Sequence, residues 1–276
     1  MHWIDPAGNG TIQSAGLRGD DLFAINGNAV MYDLNKILKV GGAPGYFGPA
    51  SLDSAFIIDI SAGYGVNPTV TKLKPMAMAR TFNSSVVLPS GDVVVTGGSG
   101  VASVDMTTST LMPEIWSPKT GEFRRLKPMA VPRDYHGTST LMLDGRIAVG
   151  GVGSCGGCVD RYDFQILTPP YLLDANGNPA NRPVITAAPA TAALGSTVNL
   201  TTDRSAASFA LVRMSATTHA VNSDQRRVPL MPASTNGTSY QLALPADAGA
   251  LLSGNWMLFA MDEKGVPSVA KVVRIQ

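Results

Sequence analysis

"RTFNSSVVLPSGDVVVTGG" (Arg80–Gly98) and "RDYHGTSTLMLDGRIAVGG" (Arg133–Gly151) lie 53 positions apart and share one skeleton. Each opens on an arginine, runs through two β-like stretches joined by a polar turn, and ends on a Gly-Gly pair. An earlier copy, "GNAVMYDLNKILKVGG", ends on Gly41-Gly42, so the pairs recur with spacings of 56 and 53 residues. The turns Pro89-Ser90-Gly91-Asp92 and Leu143-Asp144-Gly145-Arg146 have hairpin chemistry. After the second pair, "PEIWSPKTGEFRRLKPM" (Pro113–Met129) adds a strand, a Pro-Lys-Thr-Gly turn and a further strand. Four strands per unit of about fifty residues is the arithmetic of a kelch-type propeller blade. The diglycine falls where a strand turns close to the axis and a side chain would clash.

About three such units fit into residues 1–170. A closed propeller usually has four to eight blades. The expectation is therefore a partial propeller, the latter part of a longer one. Its open sheet edges would pair with missing N-terminal blades or drive self-association. Prolines and an Asn-Gly turn in "LTPPYLLDANGNPANRPVIT" (Leu167–Thr186) mark residues 171–182 as a linker. From residue 183 to 276 the chain offers short alternating strands such as "STVNLTT", "SFALVRM", "SYQLALP" and "NWMLFAMD". That pattern predicts a small immunoglobulin-like, early-set β-sandwich. The fold class is all-β: a partial kelch-type propeller followed by a sandwich. The sandwich is expected to be the most independently stable part.

Lys and Arg number 21 against 20 Asp and Glu, so no basic tract is available to neutralise phosphates, and nucleic acid is excluded as a partner. Only 15% of residues are charged, while 29 are glycine and 19 proline, the profile of a turn-rich β protein. No apolar run is long enough to span a membrane. The start "MHWIDPAGNGTIQ" carries no signal peptide pattern. Sequons at Asn9, Asn83, Asn199 and Asn236 are compatible with secretion.

Cys155 and Cys158 form a lone CxxC in "GGVGSCGGCVDR", the only cysteines in the chain. A redox CxxC normally opens a helix, and a zinc site would need two further ligands nearby. A local structural disulfide fits better, and it favours an oxidising compartment. Of three histidines, His2 sits at the terminus, His136 follows Tyr135 in the last blade, and His219 lies in "MSATTHAVNSDQRRVPL". His136 and His219 are 83 positions apart, so local spacing defines no metal motif, and each alone reads as a surface or core histidine. The repeat changes this for His136. Aligned without gaps, Asn83 and about Gly27 stand in its place, and Phe82 and Asn26 stand in the place of Tyr135. The blade does not need a Tyr-His step there, and neutral imidazole suits Cu, Zn, Fe or Ni. The polar run around His219 reads either as a solvated hairpin tip or as a loop reaching toward the propeller axis.

At these residues the chain resembles the galactose oxidase and glyoxal oxidase-like copper radical oxidases. Arg133–His136 matches the family's Arg-x-Tyr-His, and Thr218–Arg227 matches Thr-His-x-Val-Asn-x-Asp-Gln-Arg-Arg. "FQILTPPYL", "NGNPANRP", "NWMLFAM" and "GVPSVAKVVRI" are similar to family segments in the same order, and "QSAGLRGDD" and "GNAVMYD" extend the likeness toward the N-terminus.

The resemblance implies copper, with His136 and His219 as equatorial ligands and Tyr135 as axial ligand and base. It implies a disulfide between Cys155 and Cys158. It places Tyr46 and Phe47 at the substrate mouth, with Phe47 departing from a polar residue of galactose oxidase. Substrates implied are a small alcohol, aldehyde or carbohydrate, with O2 reduced to H2O2, in a secreted protein. The family's Tyr-Cys radical cofactor is not encoded here, since both cysteines match the disulfide. "MHW" is similar to an internal family segment, so Met1 reads as internal or a false start, and the chain alone is expected to be inactive. The alternative is a non-catalytic propeller and sandwich module that binds glycan or protein at a cell surface.

Overall fold

The computed structural model describes residues 1–214, 216–217, 222 and 224–276. It is built from strands, with two short 3-10 turns at Met106–Thr108 and Pro170–Leu172. Among the described residues no helix is long and apolar enough to cross a membrane. A leading hairpin pairs β1 (His2–Asp5) with β2 (Thr11–Ser14). The first blade follows as β3 (Asn28–Asp33), β4 (Lys36–Val40), β5 (Ala55–Asp59) and β6 (Thr69–Lys72), hydrogen-bonded in that order. The second is β7 (Thr81–Val87), β8 (Val93–Ser99), β9 (Glu114–Ser117) and β10 (Glu122–Arg125). The third has three strands, β11 (Gly137–Leu141), β12 (Ile147–Gly151) and β13 (Phe164–Leu167). These three sheets are the blades expected from the repeat.

The inner strands β3, β7 and β11 neighbour one another, with β7 in the middle. All seven residues of β7 are buried, which suits a strand covered on both faces. The diglycines explain the close approach. Gly41 and Gly42 have φ of 63° and 106°, and Gly97 and Gly98 have 60° and 85°, where an L side chain is strained. A Cβ on Gly41 would fall on the carbonyl of Arg80, and one on Gly97 on that of Arg133. The same carbonyls accept hydrogen bonds from Gly42 N at 2.9 Å and Gly98 N at 2.6 Å. Each pair therefore seats the backbone that opens the next blade. Arg80 itself is wholly buried and ion-paired to Glu114 at 2.7 Å.

The remainder forms two packed sheets from β14 (Ile185–Ala187), β15 (Thr191–Ala192), β16 (Thr197–Thr202), β17 (Ser208–Arg213), β18 (Arg227–Leu230), β19 (Pro232–Asn236), β20 (Ser239–Ala243), β21 (Gly254–Met261) and β22 (Lys271–Ile275). One sheet runs β14-β16-β20-β19, the other β15-β22-β21-β17-β18. Alternation along β21 sends Trp256, Leu258 and Ala260 into the sandwich core. Met257 and Phe259 go the other way, into a cluster with Val30, Val40, Val87 and Trp116 of the blades. One sheet of the sandwich therefore shares an apolar core with the propeller. Residues 171–182 are likewise strapped down: the Tyr171 hydroxyl donates to Gly145 O, and Arg182 donates to Pro267 O at 2.7 Å and Ser268 O at 2.6 Å. Of the four sequons, Asn83 is fully buried in β7, while Asn9, Asn199 and Asn236 are exposed.

Candidate functional site

The third blade departs from its sisters at one turn. Arg80 Nη1 donates to Gly97 O at 3.1 Å, and Arg133 Nη1 donates to Gly151 O at 2.8 Å, so Gly151 is the partner of Gly97. Asn83 pairs with Gly97 across the ladder, and Gly137 pairs with Gly151. Asn83 lies three positions after Arg80, but Gly137 lies four positions after Arg133. The ungapped alignment is therefore one residue off at the histidine. His136, with φ 61°, occupies the left-handed corner held by Phe82 (φ 55°) and Asn26 (φ 57°). Tyr135 takes the place of Thr81 and Ile25. The pair that turns in blade three is Gly151-Val152, with φ 76° and 105°, and not Gly150-Gly151.

Asp134 is the extra residue. It is fully buried, its carbonyl accepts from Gly137 N at 2.7 Å, and its carboxylate accepts from the Ser109 hydroxyl of the second blade. Burial pushes its carboxyl above the usual range. The turn it closes presents Tyr135 and His136 side by side, ring centroids 3.9 Å apart.

Around Tyr135 stands an aromatic cluster. The Tyr46 hydroxyl donates to the Tyr135 hydroxyl at 3.1 Å, and that bond raises the Tyr46 phenol above its ordinary value. Phe82 meets the Tyr135 ring edge-on at 5.2 Å, and Phe47 lies at 6.3 Å. Phe82 is buried, whereas Tyr46 and Phe47 are 45% and 54% exposed, so the cluster opens to solvent on one side. A cavity of about 580 Å³ lies there, lined by Phe47, Val101, Val104, Tyr135 and Cys155 among others. Cys155 and Cys158 are at disulfide distance, their Cα atoms 5.3 Å apart. Their loop thus forms part of the wall beside Tyr135.

His136 Nδ1 lies 2.8 Å from Gly153 O. That contact favours the tautomer with hydrogen on Nδ1 and the lone pair on Nε2, the arrangement a metal ligand needs. A phenol beside such an imidazole is a donor pair suited to copper, so the residues fit the metal the motif implies. Among the described residues no cluster of three His, Cys, Asp or Glu side chains is placed to hold an ion.

His219 lies outside the described residues. Its neighbours in sequence are nevertheless informative. Buried Gln225 accepts from Val87 N at 3.0 Å and donates to Ser85 O at 2.5 Å, and Arg227 Nε donates to Pro89 O at 2.7 Å. Met214, Asn222 and Gln225 line a cavity of about 200 Å³ together with Thr140 and Leu141 of β11. These described residues, Met214, Asn222, Gln225 and Arg227, thus lie against the inner strands and the turn that follows β7. Sequence reading missed Asp134, Ser109 and Gly153. Only Asp134 had a legible signal: aligning the repeats on arginine-to-glycine bonds exposes it as an insertion.

Comparison with known proteins gives the same direction. Residues 66–169 match the family model for the glyoxal oxidase N-terminus, and residues 182–275 match the galactose oxidase-like early set domain. A galactose oxidase of Gibberella zeae is 41% identical over 286 aligned residues, covering 100% of this chain and 42% of that protein. An aldehyde oxidase of Arabidopsis thaliana is 27% identical, over 75% of this chain and 37% of its own length. A fungal alcohol oxidase solved in complex with copper superposes with a TM-score of 0.96 at 39% identity, covering 100% of this chain and 59% of that one. The chain thus spans less than two thirds of these relatives. With family models matching both parts of the chain, a relative 41% identical across its whole length and a full-length superposition, the chain belongs to the galactose oxidase and glyoxal oxidase-like family of copper radical oxidases.

Proposed function

We propose that Tyr135, His136 and His219 hold copper, in a secreted protein whose family chemistry converts a primary alcohol or aldehyde to its oxidised product while O2 becomes H2O2. The observation that carries this reading is the inserted turn at Asp134, which sets Tyr135 and His136 together with the imidazole Nδ1 tied to Gly153 O. Copper, when bound, supplies the redox chemistry. The chain's own residues do the rest. Tyr135 faces the cavity and accepts the substrate hydroxyl proton as a positioned base. Tyr46 donates to the Tyr135 oxygen and so helps to fix the position of that phenol at the cavity. Phe47 places an apolar wall against the substrate and selects against a densely hydroxylated face, favouring small alcohols or aldehydes over galactose.

The family's second oxidising equivalent sits on a tyrosine joined to a cysteine. This sequence has Cys155 and Cys158 alone, and they face one another at disulfide distance. We therefore assign this chain copper binding without the radical cofactor. A peroxidase-coupled assay of the purified, copper-loaded chain with primary alcohols and aldehydes tests this. No peroxide above a copper-only blank is expected, and steady peroxide formation from a simple alcohol overturns the assignment.

A further inference from the structure

We propose that Asp160 is a positioning residue for His136, acting through the backbone of Val152–Ser154. The consequence for copper rests on the reading of His136 as a ligand; the effect on the imidazole does not. Val152, Gly153 and Ser154 have φ of 105°, 122° and 56°, three left-handed residues in succession. A β-branched residue there is a conformational outlier that persists only where its surroundings hold it. Asp160 is what holds it. Its Oδ1 accepts from Ser154 N at 2.8 Å, and its Oδ2 accepts from the Tyr162 hydroxyl at 3.1 Å. Arg161 N donates to Val152 O at 3.0 Å on the same rung. Gly153 is pressed so closely on Asp160 that a Cβ would fall on the carboxylate.

The product of this clasp is the direction of one carbonyl. Gly153 O sits 2.8 Å from His136 Nδ1. A neutral imidazole can donate from only one nitrogen, so a fixed acceptor at Nδ1 sets the tautomer. Asp160 shares a cavity wall with His136 and acts by keeping Gly153 turned toward the imidazole. The Cys155–Cys158 loop lies between Ser154 and Asp160, with Cys158 N donating to Cys155 O at 3.1 Å, so the clasp closes over a short compact span.

The test uses the full chain, metal-free and 15N-labelled, at about pH 8, where an ordinary imidazole is neutral. Long-range 15N–1H correlations report the tautomer of each histidine, and the His136→Ala spectrum identifies the signals of His136. The expected wild-type result is hydrogen on Nδ1. Asp160→Ala should shift His136 toward a tautomer mixture, while Asp160→Asn, which keeps an oxygen for Ser154 N, should retain the wild-type pattern. Copper(II) titration should then show affinity about tenfold weaker for Asp160→Ala and near wild type for Asp160→Asn. A folded Asp160→Ala chain with the wild-type tautomer overturns the proposal. A shifted tautomer with unchanged copper affinity upholds the positioning role and instead removes His136 from the copper site.

Discussion

Inserting Asp134 between Arg133 and Tyr135 changes which residue occupies the left-handed corner of the blade. In the second blade that corner is Phe82, packed as core; in the third it is His136. The Arg-x-Tyr-His motif was legible in the sequence, as were the CxxC and the two aromatic residues at the mouth. The one-residue offset was not, because the additional Gly150 lets an ungapped alignment end on Gly-Gly in both copies. Asp160 was illegible for a different reason: its carboxylate accepts from the backbone of Ser154, a contact that leaves no residue pattern. Phe82 supports the Tyr135 ring from below. Phe82→Ala should lower the unfolding free energy by about 3–5 kcal/mol in a urea titration. A midpoint equal to wild type would show that the ring carries no packing load there.

At the scale of the strand and the blade, two features join the sheets. Glu114 receives Arg80 at 2.7 Å, both side chains buried, and also accepts from Ala77 N at 2.8 Å and Met78 N at 3.2 Å. Burial lowers the Arg80 guanidinium below its ordinary value, and the Glu114 charge opposes that. Removing one partner of a buried pair leaves the other charge uncompensated. Glu114→Ala should therefore cost about 3–5 kcal/mol, and the double change Arg80→Met with Glu114→Leu should cost less than Glu114→Ala alone. Equal or greater loss in the double variant would contradict this. The diglycine was read from its recurrence and an expected clash near the axis, and the structure identifies the clashing group as the arginine carbonyl of the next blade. Gly97→Ala adds strain of about 1–3 kcal/mol and pushes on Arg133, which heads the Tyr135-His136 turn. Gly156→Ala, with nothing within 4 Å of its Cβ, serves as the silent control in thermal melts. Comparable melting shifts in the two would dismiss the clash.

Taken as a whole, the molecule is fastened along the seam between blades and sandwich. The strand pattern of residues 183–276 revealed a two-sheet unit, but β21 reads as continuous apolar, and periodicity alone does not say what covers its second face. The covering is the blade core of Val30, Val40, Val87 and Trp116. Unfolding followed by tryptophan fluorescence and by far-ultraviolet dichroism should coincide in one transition; two separated transitions would mean that the shared core does not couple the parts. Gln225→Ala leaves Val87 N and Ser85 O without their seam partner and should cost about 1–3 kcal/mol in the same titration. At this seam the described residues Met214 and Gln225, which flank His219 in sequence, meet β11 and β7 of the blades. The most direct test of the account is copper(II) titration of the chain, followed by electron paramagnetic resonance, for wild type, Tyr135→Phe, His136→Ala and His219→Ala. The expected result is one bound copper with nitrogen hyperfine structure in wild type, and affinity at least tenfold weaker in each histidine variant; equal affinity and an unchanged spectrum in His136→Ala and His219→Ala would contradict it.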